Sequence, residues 1–563
     1  MKYLAHQTKA LTLSLLFLFI TTTLLSQTYG KNGMVVSSNK LSSNVGVSVL
    51  KKGGNAIDAA VATAFSLAVT LPSAGNIGGG GFIVFMDADG EATTIDFREK
   101  APLAATEDMY LHENGDVVYS RRRTELTAVG VPGTVAGLYK AHQKYGKLPW
   151  NELVDPAVQQ AKNGFEFNWS LNRAAENFSD TVYPFMANYF LNDKKVRVKP
   201  TEIWKQPALA NTLSIIRDQG KDGFYKGKVA KIIANHMKEN GGIITEEDLA
   251  KYEAIERKPM KGTYKGYDIY SMPPPSSGGV ALIEMMNMME LVDFEKVEFN
   301  STEYVHIMAE AMRRAFADRA EHLGDPDFNL DMPLDKLTSK EHAQNRFDNL
   351  DMQKASVSDP TKYGQIYDGD NTTHISIMDK DGNAVSLTYT LESSYGSKTG
   401  IPELGFIFNN EMGDFNPQKG VTTTTGQIGS AANLIKPEKR MLSSMTPTIV
   451  GKDGKPYLVI GSPGGRTIIN TVFQTVLNVL EFEMPIDRAI ENMKVHHQWL
   501  PDVLTYEKDL LSPDTRKALE AMGHKTRSRT RLGVLMGITY DSENKIITGA
   551  ADTVRPDGGA VGY

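Results

Sequence analysis

The chain has 563 residues, 41% of them hydrophobic and 23% charged, enough to bury a large core and to exceed one simple domain. A net charge of -6, with lysine and arginine scattered along the chain, leaves no basic stripe for nucleic acid. Cysteine is absent, which excludes thiol nucleophiles, disulfides and cysteine-ligated zinc.

The opening segment, MKYLAHQTKALTLSLLFLFITTTLLSQTYG, puts Lys2 and Lys9 before an uncharged apolar run and then small or polar residues. That order reads as a secretory signal over 1–26, with cleavage within 26–30. The apolar run is shorter than the roughly 20 residues a membrane span needs. The expectation is a periplasmic or secreted protein with no membrane association once the signal is removed.

Residues 41–70 carry a helical pattern that stops at Gly53–Gly54 and restarts with Asn55 as N-cap. AGNIGGGGF then breaks all regularity, and FIVFMDADGEATTIDF reads as two short strands around an Asp-Gly turn. From about 132 to 350 the periodicity is mostly helical, with 303–321 the clearest amphipathic stretch and SMPPPSSGG an irregular loop. After 370 the texture changes to hairpins, HISIMDKDGNAVSLTYTLE, PTIVGKDGKPYLVIGSPGG and GVLMGITYDSENKIITGAAD, with helices near 466–481 and 512–522. Hairpins alternating with helices predict an α+β fold with antiparallel sheet packed between helical layers.

The first of these hairpins follows an acidic loop, DGDNTTHISI. Ile375, Ile377, Val385, Leu387, Tyr389 and Leu391 fall on one face, and Thr372, His374, Ser376, Ser386, Thr388, Thr390 and Glu392 on the other. Cross-strand partners share a face, so a loop at 379–383 sets Thr372 opposite Thr390. A shift by one even step would substitute Thr388 or Glu392 for Thr390. A tight turn at Asp381–Gly382 would pair apolar with polar positions and is rejected.

A threonine hydroxyl needs a nearby base to act as a nucleophile. His374, two residues along the strand, lies roughly 6.5 Å away, too far for direct proton transfer. Breaking the Asn371–Thr372 bond would supply another base, an α-amino group with a pKa of about 7.7 to 8.0. GSPGGR, between an apolar strand and a helix, offers the N–H groups of Gly464 and Gly465 for an oxyanion. Taken singly, each of these features is also what an ordinary strand start or strand-to-helix turn carries.

Several long motifs in one order make the likeness specific: NGMVVSS, GGNAIDAAVA, AGNIGGGGF, IDFREKAP, GVPGTVAG, YSMPPPSSGG, GDPDF, NTTHISIMDKDGNAVSLTYTLESSYG, NNEMGDFN, LSSMTPTIV, GSPGG and HHQWLPD. The chain resembles the γ-glutamyltransferases (γ-glutamyl transpeptidases) of the N-terminal nucleophile hydrolase superfamily, from residue 32 to the terminal Gly-Tyr. The resemblance implies a four-layer αββα sandwich. It also implies self-cleavage between Asn371 and Thr372, giving a large subunit of 30–371 and a small one of 372–563 that remain together as a heterodimer.

Carried over by position, Thr372 is the nucleophile, Thr390 orients it, and Gly464 and Gly465 form the oxyanion hole. Arg98 binds the substrate α-carboxylate with Ser443 and Ser444; Glu411 and Asp414 take its α-ammonium. The resemblance implies glutathione and related γ-glutamyl donors, amino acid or dipeptide acceptors, and neither cofactor nor metal.

Two positions depart from the family pattern. Glu392 stands where members carry asparagine or glutamate, and adds negative charge toward the ammonium. In PQKGVTTTTGQIGSAANLI, which resembles a lid loop, Thr425 stands where some members have an aromatic residue.

Rival readings remain at this level. A glutaryl acylase or a poly-γ-glutamate-processing enzyme shares the architecture, although a glutaryl group lacks the ammonium that Asp414 would bind. GNIGGGGF as a phosphate cradle lacks a following Lys-Ser/Thr. A metal hydrolase built on DRAEHLGDPD or on His496 and His497 lacks convincing ligand spacing. An uncleaved binding protein would not need Thr372.

Overall fold

The computed structural model describes residues 27–359, 372–425, 427–555 and 557–563. The signal segment 1–26 and Asn371 lie outside the described residues.

Two seven-stranded sheets form the centre. The first runs, edge to edge, Gly559–Gly562, Gly33–Ser37, Thr372–Asp379, Ala384–Thr390, Gly80–Met86, Ala92–Phe97 and Ile255–Arg257. The second runs Thr28–Gly30, Ile546–Ala551, Met536–Asp541, Lys455–Gly461, Thr448–Lys452, Tyr267–Ser271 and Met260–Tyr264. Every pairing within them is antiparallel.

Met34, Val36, Val84, Met378, Val459 and Ile538 fill the space between the sheets. Helices Lys40–Lys51, Ala56–Thr70 and Trp150–Asn163 cover the outside of the first sheet, and Gly278–Met289, Thr302–His322 and Thr467–Leu480 the outside of the second. The α+β class and the four layers are as the sequence implies.

The hairpin register is the one its alternation requires: Thr372 pairs with Thr390, Ile375 with Leu387 and Ile377 with Val385. Its loop is fixed by the Asp379 carboxylate, which accepts the N–H groups of Asp381 and Asn383, each at 3.0 Å. The same carboxylate accepts the Ala56 N–H at 2.9 Å, tying the loop to the start of the central helix. That helix is buried on every side, as its nearly uninterrupted apolar sequence demands. Asn55 caps it in a reciprocal box with Asp58.

The hairpin's polar face is buried as fully as its apolar face, because the second sheet lies over it. Hydroxyls there satisfy backbone carbonyls of the facing strands: Ser376 donates to Met536 at 3.1 Å and Ser386 to Ile460 at 3.0 Å.

The glycine run is structural. A Cβ at Gly79 would lie 2.0 Å from the Thr390 carbonyl oxygen, and one at Gly81 2.3 Å from that of Thr388. Only hydrogen side chains let the strand approach the hairpin so closely.

Two expectations need correction. The middle of the chain is not purely helical: Met260–Tyr264 and Tyr267–Ser271 form a hairpin closed by Lys265 and Gly266, both at positive φ. The Lys265–Gly266 turn between the tyrosine-bearing stretches of GTYKGYDIYS carried that signal. The helix Thr302–His322 is also not half-exposed; His306, Glu310, Arg313, Asp318 and Arg319 are all buried, in ion pairs or hydrogen bonds.

Replacing Gly79 with alanine is expected to destabilise the protein by about 3 kcal/mol, because neither the carbonyl nor the paired strand has room to retreat. A urea unfolding curve indistinguishable from wild type would contradict this.

Candidate active site

Thr372 and Thr390, both buried, face each other at the end of the hairpin, with 3.4 Å between their Oγ1 atoms. The Thr390 Oγ1 also accepts the Glu392 N–H at 2.8 Å. The Thr390 backbone is held by Asn76, whose Nδ2 donates to its carbonyl at 2.9 Å while its Oδ1 accepts from Gly79 N and Thr134 Oγ1. Asn76 went unnoticed in the sequence; an asparagine inside a glycine-rich loop was its only signal.

His374 is not a base for this pair. Its Nδ1 pairs with Thr388 Oγ1 at 2.8 Å and its Nε2 with Ser376 Oγ at 3.0 Å. Burial pushes its pKa down to about 3, so the ring stays neutral. The ring packs under Gly461, where a Cβ would lie 2.3 Å from its Cε1, and so supports the strand that feeds the glycine loop.

In that loop Gly464 and Gly465 have φ of 139° and 59°, values that favour glycine. Among the described residues neither N–H has a hydrogen-bond acceptor. The loop delivers the chain into Thr467–Leu480, whose Thr467 Oγ1 donates to the Gly464 carbonyl at 2.7 Å.

Above the threonines lies a cleft open to solvent and lined by Thr372, Thr390, Gly465, Arg98, Ser443 and Ser444 together with Glu392, Glu411 and Asp414. Among the described residues, every site residue picked from the sequence except Gly464 lines this cleft.

Arg98 is 1% exposed. It donates from Nη1 to Glu411 and from Nη2 to Asp414 Oδ2 at 2.6 Å, and from Nε to the Met441 carbonyl at 3.2 Å. Glu99 lies 3.6 Å from the same guanidinium, its carboxyl pushed up to about 7 by burial. Burial, with Glu99 and Asp414 crowding it, also raises Glu411 well above the usual carboxylate range, although Arg98 pulls it down. One cation thus holds together a group of carboxyls that would otherwise repel one another.

Ser443 and Ser444 sit on a strand-like segment gripped by the PPPSSGG loop: Ser443 N–H donates to the Pro275 carbonyl at 2.8 Å, and Ser277 N–H to the Ser443 carbonyl at 2.8 Å.

Comparison with known proteins identifies the family. The family description gamma-glutamyltranspeptidase matches residues 42–563. The chain belongs to the gamma-glutamyltranspeptidase family. It is 44% identical over 539 residues to the glutathione hydrolase proenzyme of Escherichia coli K12, covering 95% of this chain and 92% of that one. The cephalosporin acylase of Bacillus halodurans superimposes with a TM-score of 0.82 at 25% identity, over 95% of this chain and 97% of its own. The gamma-glutamyltranspeptidase of Helicobacter pylori superimposes with a TM-score of 0.55 at 45% identity, over 57% of this chain and 92% of its own.

In this member of the family the acidic turn is braced from before residue 372. Arg122 donates to the carbonyls of Gly413 and Phe415 at 2.6 and 2.8 Å, on either side of Asp414 and just after Glu411. Arg123 pairs with Glu392 at 2.7 Å. The negative charge expected of Glu392 is therefore largely compensated, and its φ of 75° marks a strained turn held from both sides.

In the lid-like segment Gln427, Ile428 and Ser430 line the cleft, whereas Thr425 is exposed and does not. The candidate metal residues are engaged elsewhere. His496 pairs with Asn470 and Gln498, His497 with Asp502, and Asp318 with His342 and Arg346.

Replacing Arg123 with methionine leaves the buried Glu392 carboxyl without its cation, and is expected to cost on the order of 3 kcal/mol. Adding Glu392→Gln should recover most of that loss in urea unfolding; strictly additive losses would contradict the pairing.

Proposed function

We propose that this enzyme cleaves the γ-glutamyl amide of glutathione and related donors through an ester on Thr372, and passes the γ-glutamyl group to water or to an amino acid or dipeptide. The observation that carries the reading is a buried threonine pair at the floor of a cleft whose walls hold an arginine and two acidic residues side by side. A γ-glutamyl donor presents a carboxylate and an ammonium on one carbon, and needs opposite charges held apart. Arg98 with Ser443 and Ser444 suits the carboxylate, and Glu411, Asp414 and Glu392 suit the ammonium.

The proposed sequence begins with maturation. Thr372 Oγ attacks the Asn371 carbonyl carbon, the peptide nitrogen becomes a free amine, and water releases the resulting ester. The chain is then two subunits, 30–371 and 372–563. Strand pairing supports their staying together, since Thr372–Asp379 lies against Gly33–Ser37 and Ala384–Thr390 against Gly80–Met86.

In catalysis the new α-amine takes the Thr372 hydroxyl proton as Oγ attacks the γ-carbonyl. The N–H groups of Gly464 and Gly465 stabilise the oxyanion, and the proton passes to the departing amine. Water or an acceptor amine then attacks the ester by the same route in reverse. Thr390 orients the Thr372 hydroxyl throughout. The apolar segment at 1–26 supports export to a periplasm or beyond.

Thr372→Ala is expected to run as one band on a denaturing gel where wild type gives two, and the wild-type small band should begin at Thr372. Any other N-terminus overturns the mechanism. The superposition on a cephalosporin acylase favours one rival, an acylase for glutaryl groups. Wild-type enzyme should hydrolyse γ-glutamyl-p-nitroanilide far faster than glutaryl-p-nitroanilide, because only the former carries the ammonium; the opposite order would establish the acylase.

A further inference from the structure

Three arginines beside the cleft are matched by partners within the protein. Arg98 has Glu411 and Asp414, Arg123 has Glu392, and Arg122 has two backbone carbonyls. Arg319 lines the same cleft, is 5% exposed, and has no acidic partner among the described residues. Its Nε donates to Ser277 Oγ at 2.8 Å and its Nη2 to Ser444 Oγ at 3.0 Å, and the Phe316 ring lies 5.9 Å from the guanidinium carbon. Burial pushes its pKa down to about 10, with only the more distant Asp414 opposing the shift. A buried cation answered only by neutral hydroxyls is a costly arrangement unless an anion completes it.

Proton direction shows where that anion belongs. A guanidinium can only donate. The Ser277 hydroxyl spends its own proton on the Ser443 carbonyl at 2.6 Å and accepts from Arg319 with a lone pair. Ser444 likewise accepts from Arg319, so its single O–H proton has to point elsewhere. Ser443 Oγ accepts the Met445 N–H at 3.1 Å, which frees its proton in the same way. Among the described residues neither hydroxyl proton has an acceptor. Two serine donors and a cation with no acidic partner therefore line the same cleft, while the charge of Arg98 is already claimed by Glu411 and Asp414.

We infer that Arg319 is a second cation for the substrate α-carboxylate and the positioning residue that turns the Ser444 hydroxyl toward it. The inference rests on the γ-glutamyl reading above and adds the residue that makes the carboxylate side of the cleft net positive. Arg98 then bridges the two substrate charges, and Arg319 discriminates in favour of donors that carry the carboxylate.

The test compares two donors with the same amine and scissile amide: L-γ-glutamyl-p-nitroanilide, and 4-aminobutanoyl-p-nitroanilide, which lacks the α-carboxylate. For the mature enzyme, Arg319→Met is expected to raise KM for the first donor about 10- to 100-fold, the strength of hydrogen bonding to a charged group. Its kcat should hold within about threefold, and kcat/KM for the second donor should change little. Arg319→Lys, which keeps the charge, should recover part of the KM.

Equal losses on both donors, a loss confined to kcat, or no loss at all would overturn the inference. If Arg319→Met fails to mature, Arg319→Lys and Ser444→Ala are read on the same pair: a KM loss confined to the carboxylate-bearing donor supports the assignment, and equal or no loss overturns it. Wild-type enzyme inactive on both donors would instead refute the γ-glutamyl reading itself.

Discussion

The structure depends on one hairpin held between two strands from far earlier in the chain. Thr372–Asp379 pairs with Gly33–Ser37 on one side, and Ala384–Thr390 with Gly80–Met86 on the other. Its apolar face packs on the central helix and its polar face on the second sheet, so a register slip of one residue would set hydroxyls into the helical core and isoleucines against backbone carbonyls. That double constraint makes the facing of Thr372 and Thr390 a property of the whole sandwich. The glycine run and Asn76 refine it, by letting the neighbouring strand close in and by gripping the Thr390 carbonyl.

The second organising principle is charge held in low dielectric. The cleft gathers several carboxyls and several arginines, and almost every pair joins segments on opposite sides of residue 372: Arg98 with Glu411 and Asp414, Arg122 with the 411–415 turn, Arg123 with Glu392. Such pairs contribute little net stability after desolvation, but breaking one leaves a buried charge exposed to its neighbours. The proposed specificity for a zwitterionic group rests on the spacing, since a ligand with the wrong charge at either end would leave a protein charge unanswered.

Much of this was legible in the sequence where pattern is local. A period of two with chemically different faces fixed the hairpin register, and the capped apolar run at Asn55 gave the buried helix. Local patterning says nothing of what covers a face, so the hairpin's hydroxyl side read as merely polar and the helix Thr302–His322 as amphipathic. The hairpin at Met260–Tyr264 and Tyr267–Ser271 was lost inside a mainly helical stretch, although Lys265–Gly266 and the flanking tyrosines marked it. Arg122, Arg123 and Arg319 were missed for a different reason. Their partners lie 42 to 293 residues away, and an arginine awaiting a distant carboxylate, carbonyl or hydroxyl looks like any surface arginine. The motif likeness to the family recovered Arg98, Ser443, Ser444, Glu411 and Asp414, which no spacing rule could have joined.

The last strand, Gly559–Gly562, closes one edge of the first sheet, and the Tyr563 carbonyl accepts the N–H groups of Lys31 and Asn32, both at 2.8 Å. The start and end of the folded body are therefore adjacent, which makes its topology effectively a ring. Joining Tyr563 to the residues before Lys31 with a short linker, and opening the ring at 371–372, would keep every strand pair while changing only the order in which they are made. A ribosome would then deliver the proposed nucleophile as the head of a single continuous polypeptide, needing only removal of an initiator methionine. Seen this way, the bond before Thr372 is a second place where a circular fold can be cut, and the proposed self-cleavage would move the opening to the place where an amine has chemical work to do.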